Sequence, residues 1–171
     1  VKNILGEIIL PNLSLLPIHN SNSHSKQKNQ LRLISICRVL PIKNIHFILS
    51  IIKEIKFNCN YLIIGPIEDE IYYQKCLGLI NNLPKNITVN FLGEIKPDKA
   101  IQKLNKSDVF ISTSLNENFG HSIVEALGAG KPVLITDQTP WRNLAEHNAG
   151  ADLSLSKESF HNQLNKFASM N

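Results

Sequence analysis

Apolar and polar residues along this chain follow two rhythms that take turns. From Leu31 onward, short continuously apolar runs read as strands: "LRLISIC" (31–37), "YLIIG" (61–65), "ITVNFLG" (87–93), "DVFIST" (108–113), "PVLIT" (132–136) and the weaker "ADLSL" (151–155). Between and after them lie segments whose apolar residues recur every three or four positions: 44–57, 69–82, 96–107, 120–130, 141–148 and 156–170. That spacing lines one side of a helix. The punctuation agrees. Asp98 behind Pro97 is the expected N-cap of the third helix and Ser156 of the last, while Gly130 and Gly150 close the fourth and fifth. Strand then helix, six times over, with strands apolar on both faces, predicts an α/β fold with a doubly wound parallel sheet of about six strands.

This fold class carries a prediction about place. Six strands wound in this way most often adopt the order 3-2-1-4-5-6, in which strands 1 and 4 are neighbours. Their following loops leave in opposite directions, and ligands bind in the crevice between them at the carboxyl ends of the strands. Here strand 1 is followed by "CRVLPIKN", with Arg38 and Lys43, and strand 4 by "SLNENFGHSIVE", with Glu117 and Glu125. Two cations and two carboxylates are therefore expected around one crevice.

Each group suits a different part of a ligand. Arg38 offers a planar donor fork and Lys43 a flexible point charge, a pair suited to a diphosphate. Gly120 has no side chain and stands at the predicted start of a helix, where free N–H groups and the positive dipole end favour an anion. An ionised carboxylate accepts several hydrogen bonds and so suits sugar hydroxyls. Glu117, in the loop, would reach the outer end of the ligand, and Glu125, inside the helix, a ribose. A glycosidase acid/base pair is the rival use of two carboxylates. It leaves the cations and the helix end without a task.

Composition narrows the classes. The chain has 171 residues, 43% hydrophobic and 19% charged, with a formal charge of +4. It has no block of like charges and no basic stripe with aromatics, so nucleic acid is not an expected partner. Cys37, Cys59 and Cys76 are far apart, with no metal-binding spacing, and read as buried apolar residues in a reducing compartment. No apolar run approaches the length of a membrane span. Residues 1–30 are short, Pro-broken and then polar, and are read as an interdomain segment and linker, leaving 31–171 as the folded domain. The absence of an initiator methionine suggests a piece of a longer protein.

The segment 114–133 resembles the retaining glycosyltransferases of family 4, also called group 1. Ser114, Glu117, Phe119, Gly120, Glu125, Ala126, Gly130, Pro132 and Val133 fit the family's setting of its E-x7-E motif. Arg38 and Lys43 fit its R-x-x-x-x-K, and "NFLGEI" (90–95) is similar to a strand end that touches the nucleotide base, bringing in Ile95. The resemblance spans about 31–155. It implies one Rossmann-like half of a two-domain GT-B enzyme, the C-terminal, donor-binding one, with the N-terminal acceptor domain missing. Arg38, Lys43 and Glu117 would be catalytic, the cations supporting the diphosphate leaving group. Glu117 and the backbone of Asn118, Phe119, Gly120 and His121 would hold the transferred sugar, Glu125 the ribose, and Ser114 would be a further substrate-binding residue. The donor would be a UDP- or GDP-linked sugar used in glycan or polysaccharide synthesis, with no metal and no other cofactor. The expected setting is the cytoplasm, at the inner face of the membrane, with peripheral membrane association of the full-length enzyme. The fragment alone is expected to be inactive.

Two departures stand out. Cys37 replaces the family's usual Gly before the Arg, and "DQTPWRNL" (137–144) replaces the usual Gly-Gly turn after the fifth strand. Trp141 reads as a packing anchor for the helix after it or as a ligand contact, Asp137 as a turn residue or part of the crevice wall, and His121 as a ligand donor or a capping residue. The alternative of another class is a non-catalytic nucleotide-binding module for sensing or partner binding.

Overall fold

A computed structural model describes residues 29–170. The segment expected to be a linker lies almost wholly outside the described residues. Six strands, β1 (Gln30–Ile36), β2 (Asn58–Ile64), β3 (Ile87–Phe91), β4 (Val109–Ser112), β5 (Val133–Thr136) and β6 (Gly150–Leu153), form one sheet in the order β3-β2-β1-β4-β5-β6. Every pairing is parallel. The helices are α1 (Ile45–Ile52), α2 (Glu70–Ile80), α3 (Pro97–Asn105), α4 (His121–Gly128) and α5 (Lys157–Ser169).

The strands are apolar on both sides because both sides are covered. Alternate residues divide between two cores. Leu31, Leu33, Tyr61, Ile63, Val109, Ile111 and Leu134 point to one, shared with α1, α2 and α5. Ile34, Ile64, Phe110, Val133 and Ile135 point to the other, shared with α3 and α4. A buried polar spot beside the first core is satisfied. The Ser35 hydroxyl donates to the Ile111 carbonyl at 2.5 Å, so the Tyr61 hydroxyl 2.8 Å away donates to Ser35.

Three expected elements differ. No helix forms over 141–148, although Trp141, Leu144 and Ala145 have helical spacing. The Asp152 carboxylate takes the N–H groups of Asn143 and Leu144, and Asn143 and Asn148 have positive φ. The positive φ of Asn143 takes the backbone out of the right-handed helical region at the third residue of the expected helix. The first helix ends at Ile52, not 57. Asp98 is not a cap: Lys96 holds that position, Pro97 follows as the first helical residue, and Asp98 lies in the first turn. Ser156 does cap α5, accepting the Ser159 N–H.

At the amino edge of the sheet β1 and β4 are fastened together. The Asp108 carboxylate accepts from the Arg32 backbone N–H at 2.7 Å, from its Nε at 3.1 Å and from its Nη2 at 2.7 Å. At the opposite edge, where the two strands end, the chain runs on into the loops after β1 and β4, and the candidate site begins there.

Candidate functional site

The loop after β1 turns through a short 3-10 segment, Pro41–Lys43, and Asn44 then adopts a left-handed conformation that admits α1. This swings Lys43 toward β4. The loop after β4 comes to meet it. The Leu115 N–H donates to the Ile42 carbonyl at 2.8 Å, and the Thr113 hydroxyl donates to the Asn44 carbonyl at 3.0 Å. Between loops held in this way, the Lys43 ammonium and the Glu117 carboxylate approach to 2.6 Å, with only 14% and 21% of their side chains exposed. A cation after strand 1 thus touches a carboxylate after strand 4, across the switch point.

The β4–α4 loop rests on the loop after β5. The Thr136 hydroxyl donates to the Ser114 carbonyl at 2.6 Å, and the Glu117 N–H donates to the Gln138 carbonyl at 3.0 Å. Ser114 is fully buried and its hydroxyl donates back to Asn116, so this side chain shapes the loop. Gly120 is the N-cap of α4, at φ +79°. A side chain there would meet Ile123 at 2.7 Å and the Glu117 stem at 3.3 Å, so the position serves both the turn and the close seat of Glu117. His121 is the first helical residue. It is exposed and its ring lies 4.7 Å from that of Phe119. Asn118 is exposed at the loop tip.

Beside this charged end lies a cavity of about 260 Å³, lined mainly by apolar residues. Ile36 and Ile64 at the ends of β1 and β2, Ile95 and Pro97 before α3, and Ala100 and Leu104 on α3 form its walls. Glu125 of α4 and Glu94 add carboxylates at its lining. Gly65 adjoins it, at φ +143°. A Cβ there would stand 2.0 Å from the Cys37 carbonyl, so only glycine lets the ends of β1 and β2 approach this closely.

The predicted residues therefore fall into three places. Lys43, Glu117, Ser114 and Gly120 gather at the charged end. Glu125 and Ile95 share the cavity. Arg38 stands apart, exposed, its guanidinium 3.0 Å from Glu68 of the loop before α2. Glu68 is a residue sequence reasoning missed, and no spacing rule singles it out. Cys37, half-buried beside Lys43, has its thiol pushed up to about 12, mainly by burial; Lys43 pulls the value down and Glu117 pushes it up. Trp141 packs against the loop, not a following helix: its indole N–H donates to the Phe119 carbonyl at 2.6 Å. Asp137 is half-buried at the end of β5, beside Gln138. Among the described residues no three His, Cys, Asp or Glu are grouped to hold a metal ion, and no helix is long and apolar enough to cross a membrane.

The fold matches solved glycosyltransferases. Against HepE from Anabaena, crystallised with UDP and glucose, the TM-score is 0.67 at 22% identity, over 82% of this chain and 41% of that one. The lipopolysaccharide outer core galactosyltransferase WaaB gives 0.68 at 17% identity, over 92% and 44%. WaaG, a glycosyltransferase involved in lipopolysaccharide biosynthesis, gives 0.67 at 19%, over 84% and 39%. The chain thus spans about two-fifths of the length of these neighbours. No curated protein matches it at a significant level. The family model described as glycosyl transferases group 1 matches residues 18–170, nearly the whole chain. With the Rossmann-like sheet of a GT-B domain and that match together, the chain belongs to the group 1 glycosyl transferases.

Proposed function

We propose that this chain is the donor-binding half of a retaining glycosyltransferase that moves a sugar from a nucleotide diphosphate to an acceptor hydroxyl. The observation that carries the reading is the grading of the crevice. A Lys43–Glu117 pair stands at one end, and an apolar cavity with Glu125 and Ile95 in its lining lies at the other. A nucleotide sugar is graded in the same sense, with hydroxyls and phosphates at one end and a flat base at the other.

The parts then act as follows. Ile95 and Ala100 receive the base, and Glu125 accepts hydrogen bonds from the ribose. The first N–H groups of α4 have no intrahelical partners and favour the diphosphate. The diphosphate draws the Lys43 ammonium from Glu117. That frees the carboxylate to accept from a sugar hydroxyl. Arg38, long and exposed, turns from Glu68 to the same phosphates. As the bond from the sugar carbon to phosphate breaks, charge grows on the departing oxygen, and fixed cations and amide dipoles stabilise it. The departing phosphate takes the acceptor proton, and the new bond forms on the same face of the sugar.

The acceptor site belongs, in this reading, to a second domain. A rim of exposed apolar residues supports it. Ile42, Ile67, Leu92 and Leu115 follow β1, β2, β3 and β4 in turn, all beyond the carboxyl ends of the strands. The test is titration of the chain with UDP, GDP and their sugars by calorimetry. Saturable binding is expected, with Arg38→Ala weakening UDP and UDP-glucose alike and Glu117→Ala weakening only the sugar-bearing form. Absence of binding to every nucleotide would refute the reading. A parent protein that binds donor but transfers nothing would point to a non-catalytic module.

A further inference from the structure

We infer that Trp141 is a positioning residue for the transferred sugar: it holds the Glu117–Gly120 loop in the conformation that presents the Glu117 carboxylate and the Gly120 amide. The inference rests on the donor-site reading and extends it to a residue outside the E-x7-E segment.

Three observations converge on it. First, the indole Nε1–H donates to the Phe119 carbonyl at 2.6 Å, and the Trp141 ring meets the Phe119 ring edge-on at 6.1 Å. The peptide between Phe119 and Gly120 is planar and trans. Gripping its C=O therefore fixes its N–H, that of Gly120, in the opposite direction. Second, Gly120 has φ +79° and no side-chain cap supports the start of α4. A glycine in that region is free to leave it, so an external hold is needed to keep one conformation. Third, Glu117 is seated in the space that Gly120 leaves open, since a Cβ on Gly120 would lie 3.3 Å from the Glu117 Cγ. Turning the 119–120 peptide therefore moves the seat of Glu117.

Trp141 is itself anchored. Its backbone N–H donates to the hydroxyl of Thr139, a residue only 4% exposed, at 3.2 Å. The Pro140 ring between them restricts the turn. The Thr-Pro-Trp stretch that fails to start a helix thus has a use. It brings an indole back over the β4 loop, next to the Glu117 N–H bond to Gln138. Two rungs, one at Glu117 and one at Phe119, hold the loop at both ends of its sugar-facing part.

The experiment uses the full chain and the Trp141→Phe variant, which keeps an aromatic ring and loses the N–H donor. Amide hydrogen exchange is followed over 117–121, and binding of UDP, UDP-glucose, GDP and GDP-mannose is measured by calorimetry. The expected result is faster exchange at 117–121 with α5 unchanged, and about fivefold weaker binding of the sugar-bearing form that the wild type prefers, matching the loss of one buried hydrogen bond. Free nucleotide should bind as before. Unchanged exchange over 117–121, or equal losses for free and sugar-bearing nucleotides, would overturn the inference. If the variant does not fold, the wild type decides. Trp141 is the single tryptophan, and its emission must respond more to the sugar nucleotide than to the nucleotide alone. An equal or absent response sinks the proposal. A wild type that binds no nucleotide removes the donor reading, while the exchange rates still decide whether Trp141 holds the loop.

Discussion

β1 and β4 are joined by an ion pair at each edge of the sheet, and the two pairs are built differently. At the amino edge Asp108 grips Arg32 through three hydrogen bonds, one of them from the backbone. The Arg32 guanidinium is held further into its charged form, first by the hydrogen bond to Asp108 and opposed by burial. At the carboxyl edge Lys43 meets Glu117 through a single 2.6 Å contact. A forked cation on a planar carboxylate with the main chain included is a fastener, because several bonds must break together. A point charge on a flexible stem, touching one oxygen at the mouth of a crevice, can exchange its partner for a ligand. Geometry thus separates a pair held by three bonds from one held by a single contact, although both consist of one cation and one carboxylate.

The largest expected effect tests the fastener. Asp108 is only 9% exposed at its side chain. Asp108→Ala leaves the Arg32 guanidinium and backbone N–H without their acceptor. It should cost about 3 kcal/mol in urea unfolding. Nucleotide affinity in the folded protein should not change. Lys43→Ala should act mainly on binding, with nucleotide affinity weakened about tenfold or more, the loss of a charge-assisted contact, and a smaller stability loss of about 1.5 kcal/mol, because it breaks one contact and not three. If Lys43→Ala proves the more destabilising of the two, the division between fastener and site is wrong.

Next in size is a change in the cavity that leaves both pairs intact. Ala100 lines it from α3. Phenylalanine there would fill the space that the proposed function gives to the base. UDP binding should fall about tenfold while binding of pyrophosphate, which has no base, stays within about twofold. Parallel loss of both ligands would show that the cavity and the charged end are not separate subsites.

What the sequence revealed of this follows the same division. The strand order and the placing of Lys43 and Glu117 at one crevice were legible, because period and chain order determine them. The pairing of Arg32 with Asp108 was not. It depends on the register that sets Leu33 opposite Val109, which no periodicity specifies. The E-x7-E spacing located Glu117 and Glu125, but it could not show that one sits on a lysine and the other beside an apolar cavity. Trp141 misled for a physical reason. Trp141, Leu144 and Ala145 mimic a helical stripe, but Asn143 between them has a positive φ, and the Asp152 carboxylate that accepts the Asn143 and Leu144 N–H groups lies on the next strand. The Arg38–Glu68 contact joins two exposed side chains, and nothing local encodes it.

The smallest effect compares the two edges through their cysteines. Cys59, near the amino end of β2, and Cys37, just past the carboxyl end of β1, are both pushed up to about 12, the first by burial. A thiol raised in the folded state stabilises fully below its unfolded value near 9, and that contribution is lost as pH rises from there through about 12. Cys37→Ala and Cys59→Ala should each flatten the alkaline fall in stability. Only Cys37 also feels the Lys43–Glu117 pair. In proteins keeping a single cysteine, Glu117→Gln removes a negative charge that raises the Cys37 thiol, so its thiolate should form at lower pH. Lys43→Ala removes the opposing cation and should move it higher. Cys59 should respond to neither, as thiolate absorbance against pH will show. A shift at Cys59 equal to that at Cys37 would mean that the pair acts on the whole sheet and not on the crevice edge alone.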